Sequence, residues 1–279
     1  MTYRIIGDSC TDLTKELRKD PHFRLIPLTL QVGDRQMVDD ETFDQGEFLR
    51  LAKASAECPK TACPSPEMYK EAYECDADNI FVVTLSEHLS GSYNSAVLAK
   101  KLYEEEYGED KNIAVFSSHS ASSGQVNMAL FIRELCEQGV PFEDIVRKTL
   151  RYRDGMHTYF VLESLDTLRK NGRLTGLQAF FATALNIKPV MGADSGVIIK
   201  LDQARGINRA LGRMCEIIRR EVKDPLEKRV TIAHCNNLER AELVKKELTK
   251  DLEFKEVLIV ETAGVSTLYA NDGGIVVAV

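Results

Sequence analysis

Along this chain, short apolar runs alternate with helix-spaced stripes, and the junctions between them are rich in hydroxyls. Ile80-Phe81-Val82-Val83 is too short and too continuous for a surface helix and fits a buried strand. A polar loop follows, with Thr84, Ser86, His88, Ser90, Gly91 and Ser92, and residues 93–100 return to helical spacing with Val97 and Leu98 on one side. The same order occurs twice more. Tyr3-Arg4-Ile5-Ile6 runs into Gly7-Asp8-Ser9-Cys10-Thr11-Asp12 and a short helix over residues 13–18. Asn112-Ile113-Ala114-Val115-Phe116 runs into Ser117-Ser118-His119-Ser120-Ala121-Ser122-Ser123-Gly124 and a helix over residues 126–137.

Between these units, residues 24–32 read as a strand interrupted at Pro27, Gly33-Asp34 as a turn, and residues 43–56 as a helix. Pro59, Pro64 and Pro66 hold residues 58–66 extended, and Pro66 opens a helix over 67–73 with Ser65 as its cap. Residues 142–152 form another helix. Near residue 155 the pattern changes. A strand over 158–162 precedes a short helix ended by Asn171-Gly172 and an apolar helix over 177–185. A hairpin of 187–191 and 197–201 turns at Asp194-Ser195-Gly196. An amphipathic helix over 207–222, a β-α-β unit over 230–260 and a last strand over 275–279 complete the chain. The prediction is an α/β protein of two domains. Residues 1–155 form an N-terminal domain with a mostly parallel sheet and flanking helices. Residues 156–279 form a C-terminal α/β domain with a mixed sheet.

Strand-to-helix junctions matter because, in an open parallel sheet, ligands bind at the carboxyl ends of the strands. Helix starts offer free backbone N–H groups to an anion. Ser90, Ser92 and Ser95 add hydroxyls there, and Gly91 permits close backbone approach. One such loop on its own reads as an N-cap. Three of them, recurring at strand ends, point to a shared polar pocket.

Composition removes several classes of function. A net charge of −7 over 279 residues argues against nucleic acid as the main partner. No apolar run reaches the roughly 18 residues of a membrane span, and the chain starts directly in a strand with no secretory segment. The seven cysteines are odd in number and form no CxxC pair, so the expectation is reduced thiols in the cytoplasm. HExxH, GxGxxG, the phosphate-binding GxxxxGK[ST] and the GxSxG elbow are all missing, so no metal and no cofactor is expected. Ser118 and His119 are adjacent in sequence, a poor arrangement for a nucleophile and its base. What remains is a pocket of neutral hydroxyl donors, suited to a carboxylate or phosphoryl oxygen. Two other readings stay open: a hydrolase or phosphotransferase using Ser90 or Ser118, and a regulatory protein that binds a small anion.

Several ordered motifs resemble the DegV family of bacterial fatty-acid-binding proteins. Asp8-Ser9-Cys10-Thr11-Asp12-Leu13 is similar to its D-S-[TS]-x-D-L, Ile26-Pro27-Leu28 to I-P-L, and Thr61-Ala62-Cys63-Pro64-Ser65 to T-S-Q-P-[SA]. Leu89-Ser90-Gly91-Ser92-Tyr93-Asn94-Ser95-Ala96 is the most specific match, to L-S-G-T-Y-N-S-A. Ser118 to Gly124, Asn171-Gly172-Arg173-Leu174, Ile187-Lys188-Pro189 and Gln203-Ala204-Arg205 follow in order.

The resemblance implies a long-chain fatty acid buried between two domains, its carboxylate on Thr61 and Ser90 and its tail in an apolar tunnel. Gly91, Ser92, Asn94, Ser118, Ser122 and Tyr269 complete the implied ligand site, and Phe180, Phe181, Leu185 and Ile187 are candidate walls. It further implies a non-catalytic carrier that presents the acid to a separate fatty-acid kinase, with Arg173 and Arg205 facing the kinase or the phosphate. The chain departs from the family pattern at Cys63, where the family has Gln, at Ser117, where it has Asp, and at Tyr269, where it has His.

Overall fold

The computed structural model describes residues 2–174 and 186–279. The predicted helix over 177–185, with Phe180, Phe181 and Leu185, lies outside the described residues.

The first sheet is parallel throughout. Its strands are β1 (Tyr3–Asp8), β2 (Phe23–Ile26), β6 (Asn79–Thr84) and β7 (Asn112–Ser117), in the order β2-β1-β6-β7. Ile80 to Val83 are fully buried because helices cover both faces. Ile80 and Val82 pack with Tyr69 and Tyr73 of α2 (Pro66–Tyr73) and Ala96 and Ala99 of α3 (Ser92–Tyr107). Phe81 and Val83 point the other way, to Val126 and Ile132 of α4 (Ser123–Glu137), with α5 (Phe142–Asp154) alongside. The chain passes from β1 to β2 on one side and later returns to the other side of β1 for β6 and β7, so the sheet has its switch point between β1 and β6.

The predicted strand over 24–32 is in fact two strands in two sheets. β2 ends at Ile26; β3 (Thr29–Val32) belongs to a separate antiparallel sheet, ordered β4-β3-β5, with β4 (Arg35–Val38) and β5 (Lys60–Ala62). Pro27 has no N–H for a ladder. At the crossing the Leu28 N–H donates to Ser9 Oγ at 3.0 Å, while the Ser9 N–H donates to the Ile26 carbonyl at 2.9 Å. Helix α1 (Gln45–Ala54) follows, capped by Asp44, which accepts from the Glu47 N–H at 2.8 Å.

The other large sheet is mixed: β10 (Val197–Arg205), β9 (Ile187–Asp194), β8 (Thr158–Val161), β13 (Ile275–Ala278), β11 (Arg229–His234) and β12 (Glu256–Glu261), in that order. Only β11 and β12 are parallel neighbours. The short α6 (Asp166–Lys170) follows β8. The amphipathic α7 (Ile207–Glu221) and α8 (Leu238–Leu248) bury one side of the sheet through Leu211, Met214, Ile218 and Val244. A further short helix, α9 (Gly264–Ala270), follows β12 and packs on α1 and β3.

Helix α4 joins the two large sheets. Besides its place under β1 and β6, it sends Asn127 into the mixed sheet. The Asn127 carbonyl oxygen accepts the Thr231 hydroxyl at 2.6 Å, and its amide donates to the Arg229 and Ala278 carbonyls at 3.3 and 3.2 Å. Nearby, the buried Arg229 guanidinium pairs with Glu134 of α4 and with Glu256 of β12.

Candidate functional site

The loops at the carboxyl ends of β1, β6 and β7 face the side of the mixed sheet that α7 and α8 leave uncovered. Between them lies a cavity with about 840 Å³ of empty space, part of it open to solvent. Its walls come from far-apart segments: Cys10 after β1, Leu85 and Leu89 after β6, Ala121 after β7, Phe160, Ile198 and Val276 of the mixed sheet, and Val265 and Ala270 of α9.

At one end the wall turns polar. Thr61 arrives on β5, Ser90 from the loop before α3, and Tyr269 on the last turn of α9. Thr61 Oγ1 and the Tyr269 hydroxyl lie 3.2 Å apart. Arg173 completes this end, its guanidinium 5.9 Å from the Tyr269 ring centre. Its Nε donates to the Leu89 carbonyl at 3.1 Å and its Nη1 to the Asn171 carbonyl, which fixes the group against the loop before α3. The Ser90 hydroxyl is 3.0 Å from that of Ser92 and accepts the Ser92 N–H at 3.2 Å.

Thr61, Ser90, Ser122, Tyr269 and Arg173 therefore share one cavity wall, whereas five other sequence-predicted site residues lie off it. Ser92 is buried behind Ser90, and Gly91 and Asn94 are solvent-exposed at the start of α3. Ser118 donates to the Ser120 carbonyl at 3.0 Å and accepts the Ser120 N–H, so it shapes its own loop. Arg205 is exposed at the end of β10, paired across the hairpin with Ile187. The hydroxyls weighed as nucleophiles, Ser90 and Ser118, are bonded to other hydroxyl and carbonyl oxygens, not to an imidazole. Of the departures from the family pattern, Cys63 is exposed beside Gly91, and the Ser117 hydroxyl accepts the Glu87 N–H at 3.1 Å.

Behind the wall lie three carboxylates that the sequence pattern did not mark as site residues. Asp8 accepts the Leu85 N–H and the Gln125 amide, both at 2.8 Å, and so ties β1 to the β6 loop at the switch point. Asp12 accepts the Ser122 hydroxyl at 2.5 Å and the Ala263 N–H at 2.7 Å. Asp39 accepts the Gly264 and Val265 N–H groups at 2.6 and 2.8 Å, capping α9 from the three-stranded region. Burial raises the pKa of each. Asp8 rises to about 6 against the pull of its hydrogen bonds, Asp12 rises to about 7, and Asp39 also rises. The signal for Asp8 and Asp12 was a pair of acids in a short loop directly after an apolar strand. Asp39 carried no such signal.

Among the described residues no cluster of metal-ligating side chains occurs, and no helix is long and apolar enough to cross a membrane.

The architecture and the cavity together define an α/β protein with an apolar cavity at the strand ends. The chain belongs to the DegV family: the family model described as "Uncharacterised protein, DegV family" matches residues 2–279. It is 34% identical over 285 residues to a DegV domain-containing protein of Streptococcus pneumoniae, covering 99% of this chain and 98% of that one. A DegV-family crystal structure from Ruminococcus gnavus, with vaccenic acid, superposes with a TM-score of 0.97 at 50% identity and covers 100% of both chains. The Streptococcus pneumoniae fatty acid kinase (Fak) B3 protein, loaded with linoleic acid, gives a TM-score of 0.91 at 33% identity, covering 100% of this chain and 99% of that chain.

Proposed function

We propose that this protein binds a long-chain fatty acid and presents it to a separate fatty-acid kinase, itself catalysing nothing. On this reading the acid lies between an N-terminal domain of residues 1–155 and a C-terminal domain of residues 156–279. The observation that carries the proposal is an apolar cavity whose wall carries Thr61 and Arg173 beside Tyr269, with Arg173 bonded to the Leu89 carbonyl next to Ser90. A carboxylate there accepts hydroxyl protons from Thr61, Ser90 and Tyr269, and the Arg173 guanidinium balances its charge. The tail supplies most of the affinity. Each buried CH₂ contributes about 0.8 kcal/mol, so a sixteen-carbon chain supplies roughly 10 kcal/mol before ordering costs. The relatives with vaccenic and linoleic acid support the ligand class, and the kinase-associated relative supports the partner. Arg173, on the cavity wall beside Tyr269, suits the phosphate-facing role. Arg205, exposed and off the wall, suits a kinase-facing one.

The test is the organic extract of the purified protein, read by mass spectrometry. A free long-chain acid is expected, and a covalent adduct on serine would instead establish the enzyme reading. Thr61→Val and Ser90→Ala should each weaken binding of the extracted acid by about 1.5–3 kcal/mol, the range for hydrogen bonds to a charged group. Unaltered affinity in both variants removes these hydroxyls from the site.

A further inference from the structure

Behind Ser90 a row of hydroxyls leads away from the cavity. Ser90 is on the wall. Its Oγ lies 3.0 Å from the Ser92 Oγ and accepts the Ser92 N–H at 3.2 Å. Ser92 is fully buried, and its hydroxyl lies against Asp8, whose charged form it favours. Tyr69 of α2 reaches the same place. Its hydroxyl is buried, has no hydrogen-bond partner among the described residues, and stands near enough to Ser92 and Asp8 that both act on its ionisation. Ser90, Ser92 and Asp8 thus run in series from the cavity wall to a fully buried acid.

The surroundings of Asp8 fit either form of that acid. The Leu85 N–H and the Gln125 amide donate to it at 2.8 Å, and the Cys10 N–H also favours the carboxylate. Only the backbone donors are fixed. The Gln125 carbonyl oxygen is buried with no partner among the described residues, so turning the amide over offers an acceptor to a protonated Asp8. The Ser92 hydroxyl likewise serves as donor or acceptor. Among the described residues, the titratable groups beside Asp8 are Tyr69 from α2 and Cys10 from its own loop, with Asp12 acting on the same Cys10. The β6 loop, α3 and α4 present Leu85, Ser92 and Gln125, none of which titrates. Burial raises the pKa of Asp8 to about 6 and keeps Tyr69 and Cys10 neutral.

The direction of the row depends on the proton. With Asp8 ionised, Ser92 donates to it, and the Ser90 proton is shared between Ser92 and any ligand. With Asp8 protonated, the acid donates to Ser92 and Ser92 to Ser90, so the Ser90 proton is left for the ligand alone. Two anions at the ends of so short a row also repel one another where water is excluded. Both effects have the same sign.

We propose that Asp8 is a positioning residue for the head group: through Ser92 it governs how Ser90 donates to a carboxylate, and binding of the acid draws a proton from solvent onto Asp8. The proposal rests on the fatty-acid reading of the cavity, with the carboxylate at Thr61 and Ser90. By linkage, proton and ligand strengthen each other's binding by the same factor. Affinity is therefore greatest below about pH 6 and weakens as the pH rises through that value.

The experiment titrates delipidated full-length protein with dodecanoic acid by calorimetry from about pH 5.5 to 8, where the free acid is ionised. Paired buffers of different ionisation enthalpy report the protons exchanged. Wild type should weaken about ten-fold or more across the range and take up protons on binding. Asp8→Asn keeps an acceptor for the Leu85 N–H and gains a donor for Ser92. At the alkaline end it should bind at least as tightly as wild type, with under about two-fold change across the range and no proton uptake. Ser92→Ala cuts the row and should lose most of the slope with Asp8 in place, which decides the matter even where Asp8→Asn does not fold. Dodecanol, which has no carboxylate, should show no slope in wild type. Asp12, His119 and the ligand's own carboxyl all remain in the Asp8→Asn experiment, so a slope or proton uptake that survives there belongs to them and overturns the proposal. A flat wild-type profile, a full slope in Ser92→Ala, or an equal slope with dodecanol overturns it too. Failure of dodecanoic acid to bind at any pH is a different result: it removes the fatty-acid reading, and the role of Asp8 with it.

Discussion

Replacing Asp12 with Asn should flatten the dependence of stability on pH between about pH 4 and 7. Asp12 is fully buried, and among the described residues no cation faces it. Its oxygens meet the Ser122 hydroxyl and the Ala263 N–H, the Ser266 hydroxyl also favours its charged form, and the Asp39 carboxylate opposes it. Burial is the largest influence and raises the pKa from 3.8 to about 7. The sign follows from linkage. Between those two values the folded protein holds a proton that the unfolded chain has released. The contribution to stability is therefore complete below the unfolded value and is lost as pH rises through about 7. A shift of about three units at 1.36 kcal/mol per unit makes the loss about 4 kcal/mol. In Asp12→Asn the side-chain carbonyl still accepts from Ala263, and the amide donates to a Ser122 hydroxyl that turns to accept. Urea denaturation of both proteins from pH 4.5 to 8.5 reads the difference. His119 and His234, whose pKa values burial lowers, lose stability in the opposite direction, toward acid, but both proteins carry them and they cancel. A gap between the two proteins that is constant across this range, or one that narrows toward acid, would refute the reasoning.

Tyr269→Phe should weaken fatty-acid binding by about 0.5–1.5 kcal/mol by removing one neutral hydrogen bond, measured calorimetrically. Tyr269→His should add a titration between about pH 5.5 and 7.5, binding tighter on the acid side, and a pH-independent His variant would place position 269 away from the carboxylate. Arg205→Ala should keep its bound acid and slow kinase-dependent acyl-phosphate formation, and loss of the lipid from the purified variant would contradict that division of labour. Asn127→Ala should cost about 2–4 kcal/mol, because it leaves the Thr231 hydroxyl and two carbonyls short of partners where α4 meets the mixed sheet. Urea midpoints check it, and a loss under about 1 kcal/mol would mean that these groups find other partners.

The parallel sheet was legible because its strands are covered on both faces, so Ile80 to Val83 stand out as a continuous apolar run between polar loops. The three-stranded sheet was not, because β4 is four residues of Arg, Gln, Met and Val at the surface and β3 is masked by the apolar run before Pro27. Helix α9 was missed for the opposite reason. It is buried nearly all round, so no polar face alternates with an apolar one. Its N–H groups are also capped by Asp39, which no local pattern pairs with residue 264. Among the site residues, repetition of serine loops led to Ser90 and Ser122. It could not separate them from Ser92 and Ser118, since which hydroxyl faces a cavity and which closes its own loop is decided by the fold. Thr61 and Tyr269 came from motif likeness alone.

The three buried acids explain how so polar a set of loops builds an apolar chamber. Asp8 takes up the Leu85 N–H and the Gln125 amide, Asp12 the Ser122 hydroxyl and the Ala263 N–H, and Asp39 the two leading N–H groups of α9. Each donor would otherwise face the cavity or the core unpaired, at a cost of about 1–3 kcal/mol. The acids turn these donors away from the cavity and at the same time clamp segments that lie up to 251 residues apart. Cys10, Leu85, Ala121 and Val265 then form the wall. The hydroxyls left facing inward at the head-group end are those of Thr61, Ser90 and Tyr269, none of them bonded to a buried carboxylate. Ser122 also lines the cavity, but its proton is committed to Asp12. On this argument Ser122 contributes shape to the wall, and the proposed fatty-acid carboxylate would find its donors at Thr61, Ser90 and Tyr269.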